Sequence, residues 1–83
     1  KKPVISLPPE AEERFLQLKK WRLAIAREHE VPAYVIFNDA TLRQIALNNP
    51  ETLEDLSFIS GVGAHKLEAY GEAIIEFLDE MQV

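Results

Sequence analysis

The chain has 83 residues, 47% of them apolar and 28% charged, which is the size and make-up of one small domain with a single core. It has no cysteine, so a disulfide scaffold and a thiolate metal site are excluded. No apolar run reaches the ~18–20 residues of a membrane span, and so short a chain has little core to give up to a deep catalytic cavity. The expectation is a binding or regulatory module in a reducing, intracellular setting, cut from a longer protein, since the chain opens Lys1-Lys2-Pro3 without an initiator Met.

Residues 1–8 carry Pro3 and Pro8 without a clear period and read as an arm or linker end. Residues 9–83 then form the domain. A first helix is predicted from about Pro9 to Glu28. Proline suits its first turn, and Glu10, Glu12 and Glu13 suit its positive end. Phe15, Leu18, Trp21, Ile25 and Ala26 recur at helical spacing and mark its buried stripe. Val31-Pro32 stops it, because proline disfavours helical geometry in the residue before it. Residues 31–37 (VPAYVIF) read as an irregular or 3₁₀ connection that tucks Val35, Ile36 and Phe37 into the core.

Asn38-Asp39 starts the next helix, with Leu42, Ile45 and Ala46 facing inward, and Asn48-Asn49-Pro50 ends it. Thr52 caps a short helix from Leu53 to about Phe58. A tight turn follows at Ser60-Gly61-Val62-Gly63. A last helix runs from about Ala64 to Met81, with a stripe of Leu67, Tyr70, Ile74, Phe77, Leu78 and Met81. Gly71 inside it points to close approach of a neighbouring helix backbone. The fold class is all-α, with four or five helices and short connections.

Charge is segregated. Residues 14–27 hold Arg14, Lys19, Lys20, Arg22 and Arg27 and no acid, whereas residues 51–83 hold eight acids against Lys66 alone; the net charge is −5. A mixed-sign surface is the ordinary pattern, so an acid-free stretch of this length is either a solvated face or a contact for an anion. Tyr34 follows the basic helix. A ring beside cations suits single-stranded nucleic acid, with bases on the ring and phosphates on Lys and Arg, and a core tyrosine with a surface hydroxyl explains it as well. Trp21 suits core packing better than stacking, and one position off the stripe Arg22 suits a semi-buried ion pair. The Gly61–Gly63 turn before a helix start resembles half of a DNA-binding helix–hairpin–helix, with Lys66 in favour and the following acids against, but a plain interhelix turn accounts for it more simply. His29 and His65 have no partner at ligand spacing, and no nucleophile–base arrangement emerges.

Four segments taken together, RFLQLKKWRLAIAREH (14–29), VPAYVIFNDATL (31–42), PETLEDL (50–56) and FISGVGAHKLEAYG (58–71), resemble the HRDC domain, the helicase-and-RNase-D C-terminal module, in the form found in RecQ-type DNA helicases. The resemblance spans about residues 12–80. It implies a compact five-helix auxiliary domain, monomeric and non-catalytic, without a cofactor of its own; ATP and magnesium would belong to the parent helicase core. It implies weak binding of single-stranded or branched DNA, contacts with the helicase core, a role in repair and recombination, and a cytoplasmic or nucleoid-associated location, with no membrane partner. Carried onto this chain, the DNA contacts would be Lys19, Lys20, Arg22, Arg27, Tyr34, Gly63 and Lys66. The acidic half departs from that pattern. Its exposed face, Glu68, Glu72 and Glu76, offers an alternative role in docking on the helicase core or a partner protein.

Overall fold

The structure is a computed structural model that describes residues 7–81. Five helices follow in chain order: α1 Pro9–His29, α2 Ala33–Ile36, α3 Asp39–Asn48, α4 Leu53–Ser57 and α5 Ala64–Met81, with no strand among the described residues. Helix α1 packs on α2 and α3, and α4 packs on α5. Of the arm read over residues 1–8, residues 1–6 lie outside the described residues, while Leu7 is half-buried against the core.

Local chemistry sets most boundaries. The Pro8 carbonyl accepts from Glu12 N–H at 2.8 Å, and Glu10 and Glu12 occupy the first turn of α1. The helix ends at Glu30 rather than at the proline. Glu30 is left-handed (φ 57°), and the N–H groups of Glu30 and Val31 turn back to the Arg27 and Ala26 carbonyls at 3.2 and 3.0 Å. The Asn38 side chain accepts from Thr41 N–H at 2.8 Å to cap α3, and left-handed Asn49 closes it. At α4 the Thr52 hydroxyl accepts from Asp55 N–H at 3.0 Å, and the Asp55 carboxylate accepts from Glu51 N–H at 3.4 Å. Asp55 thus ties the cap to the residue before it, one position short of the reciprocal bond to the cap's own N–H that a capping box makes.

Two local expectations need correction. The connection after α1 is a single α-helical turn and not a 3₁₀ one, although Val35 N–H bonds to the Pro32 carbonyl three residues back. Ile36 and Phe37 are fully buried, but Val35 faces solvent. A helical turn cannot put three consecutive side chains on one side, so Val35 turns outward where Ile36 and Phe37 turn in. Gly71 is buried as expected, but its neighbours are side chains. A Cβ there would stand 2.8 Å from Leu53 Cδ2 of α4, with Leu67 and Leu56 close behind.

The core is built from Phe15, Leu18 and Ala26 of α1, Ile36 and Phe37, Leu42, Ile45 and Ala46 of α3, Leu56, the turn residues Ile59 and Val62, and Ile74 and Leu78 of α5. Phe37 joins the halves. Its ring stacks on Trp21 at 6.4 Å and meets Tyr70 edge-on at 6.1 Å, while Phe77 lies 6.3 Å from Trp21. Trp21 is therefore a packing residue. The Ile59–Gly63 turn is held by buried Ile59 and Val62, and only Gly61 needs to be glycine. Its φ is 94°, and a Cβ there would collide with the Thr41 hydroxyl.

Candidate nucleic-acid interface

Helix geometry sorts the cations of α1. Ala11, Phe15, Leu18, Arg22 and Ala26 follow at spacings of four, three, four and four and are the buried residues of the helix. Arg22 thus stands in the middle of the buried stripe. Its guanidinium Nη1 donates to the Phe37 carbonyl at 2.9 Å and pairs with Asp39 at 2.8 Å. It ties α1 to the start of α3, and the structure excludes its expected contact with DNA, because a residue only 9% exposed, with its Nη1 held by the Phe37 carbonyl and Asp39, does not reach a phosphate. The ion-pair reading of Arg22 is the one the structure supports.

Lys20 and Arg27 point the opposite way. They share the outer face of α1 with Leu16 and Leu23, in the order Leu16, Lys20, Leu23, Arg27, and all four are exposed. Lys19 lies roughly 100° round the helix from Lys20, on the side of α3. Its ammonium is 5.3 Å from the Phe15 ring centroid, and Arg43 of α3 reaches the same ring at 5.2 Å. Arg14 donates to the Ala46 carbonyl at 3.0 Å. With Arg22 on Asp39, these contacts run α3 antiparallel along α1 and make a cationic seam between them.

Asp39 is the acid of that seam. The hydrogen bond from Arg22 holds its carboxyl below the ordinary aspartate range. Burial comes next and opposes it, and the charges of Arg22, Lys19 and Arg43 add to the lowering.

Tyr34 is 69% exposed, on α2, which packs on the basic helix. The ring is therefore free to stack. Lys66 is half-buried at the start of α5, with its ammonium 5.7 Å from the Phe37 ring centroid. Gly63 is exposed, and a Cβ on it would meet open space, so nothing in the fold demands glycine there.

The acidic residues Glu68, Glu72 and Glu76 are exposed one turn apart along α5. Between α5 and the start of α4 runs an open groove of about 840 Å³, with Leu53 and Ile75 among its apolar walls and Glu51, Glu72, Glu76 and Asp79 around them.

Two groups escaped the sequence reading, one half-buried and one exposed. Arg43 was masked by the negative balance of residues 28–50, although it is the one basic residue there and sits one turn after Asp39. Phe58 is 79% exposed at the end of α4. Its position off the Leu53, Leu56, Ile59 spacing was the available signal. Among the described residues no three His, Asp or Glu side chains group as metal ligands, and no helix is long and apolar enough to cross a membrane.

The fold and this surface define a small all-α module whose chemistry lies on its exterior. Residues 11–78 match the HRDC domain family, and the chain belongs to that family. A solved structure of the D. radiodurans RecQ HRDC domain 3 superposes with a TM-score of 0.82 at 30% identity, covering 87% of this chain and 95% of that one. The chain is 49% identical over 67 residues to the ATP-dependent DNA helicase UvrD2 of Mycobacterium bovis and 36% identical over 66 residues to the ATP-dependent DNA helicase RecQ of Pasteurella multocida. These stretches take in 81% and 80% of this chain but only 10% of each helicase. The expected likeness to RecQ-type modules holds, and it extends to UvrD2.

Proposed function

We propose that this chain is a non-catalytic auxiliary domain of an ATP-dependent DNA helicase, one that binds single-stranded or branched DNA weakly and tunes which substrates the helicase core engages. The observation that carries the reading is the exposed Tyr34 ring on an element docked against α1, the helix that carries the acid-free basic stretch. Bases stack on the ring, and phosphates meet Lys19, Lys20 and Arg27. Neutralising about three phosphates gives a slope of log affinity against log salt of about −2 for a single strand. The test is a fluorescence-anisotropy titration of the domain with single-stranded, duplex and junction DNA at several salt concentrations. Binding of the single strand or junction above duplex, with that slope, supports the reading; no binding of any of them at low salt overturns it.

A second reading is favoured by the groove between α4 and α5. Apolar walls ringed by four carboxylates suit a basic segment of the helicase core or of a partner protein. The two roles use different faces and are compatible.

A further inference from the structure

We propose that Lys19 and Arg43 form a two-helix clamp for one DNA phosphate, with Arg43 a binding residue that neither the basic stretch of α1 nor the family resemblance assigns. The inference rests on the nucleic-acid reading above and deepens it by adding α3 to the contact surface.

The geometry starts with Phe15. Its ring is 7% exposed and receives Lys19 from α1 and Arg43 from α3, each within 5.3 Å of the ring centroid. Packing therefore holds both cations against one ring, no more than about 10.5 Å apart, although nothing in the sequence places them together. Each gains from the ring face, but they repel one another.

The carboxylate of the seam does not cancel them. Asp39 feels both charges, but its Oδ1 is taken by Arg22 at 2.8 Å, so one acid stands against three cations. The seam keeps an excess of positive charge in the absence of an anion. Lys19 is exposed and Arg43 half-buried, and the charged ends themselves, the ammonium and the guanidinium, lie over the ring, so a ligand would meet them on the sides turned away from it. A phosphodiester carries one negative charge and has two free oxygens. One oxygen on the ammonium and one on the guanidinium would relieve the repulsion and use the planar donor geometry of arginine.

Arg14 shows the contrast. It also comes from this side of α1, but its guanidinium is committed to the Ala46 carbonyl at 3.0 Å. It belongs to the scaffold and takes no part in the clamp. Lys20 and Arg27, on the outer face of α1, give a second line of charge, so a strand following the seam and one following the outer face would touch different residues.

The experiment is anisotropy of a labelled single-stranded oligonucleotide with the wild type and with Arg43→Gln, Arg43→Lys, Lys19→Gln and the Lys19→Gln/Arg43→Gln pair, over a range of salt. Thermal melts confirm that each variant is folded. Arg43→Gln is expected to weaken binding roughly two- to fivefold and to make the salt slope shallower by about 0.7, the signature of one lost phosphate contact. Arg43→Lys should retain the slope, and the pair should lose less than the product of the two single effects, because one phosphate is shared. An unchanged affinity and slope in Arg43→Gln, while Lys20→Gln still weakens binding, overturns the clamp and leaves the DNA reading intact. Absence of binding by the wild type overturns both.

Discussion

The first three helices and the last two share one core but present opposite surfaces. Helix α1 gathers five basic residues in a stretch without an acid, and α4 and α5 carry seven of the fourteen acids against Lys66. Each half exposes one large aromatic ring: Tyr34 on α2, which packs on the basic helix, and Phe58 at the end of α4, near Asp55 and the amides Gln44 and Asn48. A ring attracts a nucleobase equally well in either setting, but the phosphates that come with the base are attracted to one and repelled by the other. The comparison teaches that exposure of an aromatic residue selects a contact surface, while the surrounding charge selects the kind of partner.

The largest expected effect tests what holds the basic half together. Arg22→Ala removes the tie from α1 to the Phe37 carbonyl and Asp39 and leaves a gap in the buried stripe. It should destabilise the domain by about 2–4 kcal/mol in denaturant unfolding. If stability hardly changes, the assignment of Arg22 to the scaffold is wrong.

The next effect separates the two rings. Tyr34→Ala should cost about 1–3 kcal/mol of single-strand affinity, whereas Phe58→Ala should leave DNA binding unchanged. Equal losses in an anisotropy titration would erase the distinction between the halves. A smaller change is expected from Glu72→Lys with Glu76→Lys. Removing like charge from the acidic half should strengthen DNA binding by roughly two- to fivefold at low salt, and less as salt screens it. In a full-length helicase the same pair would disturb any docking through the groove.

Acid titrates the seam. The Asp39 carboxyl lies below its ordinary value in the folded chain, so its stabilising contribution is complete above the unfolded value of about 4 and is lost as pH falls through the folded one. The melting difference between wild type and Asp39→Asn should be steady from pH 5 to 7 and shrink below about pH 4. A difference that grows on acidification would contradict the Arg22–Asp39 pairing. The smallest effect is at the end of α1. Glu30→Gly should raise stability by about 0.5–1 kcal/mol, by relieving a left-handed backbone that a side chain adopts with strain, net of the entropy glycine adds to the unfolded chain. Thermal melts would show it.

Residue by residue, the elements governed by neighbours in the chain were legible. Asn38 and Thr52 cap the helices they precede, the Asn48–Pro50 segment ends α3, and α5 runs from Ala64 to Met81 as its stripe requires. Capping and periodicity depend on contacts within about four residues, so they can be read directly. The segregation of charge and the likeness to HRDC domains were also present in the sequence.

What only tertiary structure decided is how cations that look alike in the sequence divide. Lys19, Lys20 and Arg22 lie within four residues, yet one joins Arg43 over Phe15, one faces solvent and one is sealed against Phe37 and Asp39. Local sequence gives the angle of each around the helix axis. Whether that angle meets water, a ring or a carboxylate depends on which other helix packs there, and that is set by burial of the whole core at once.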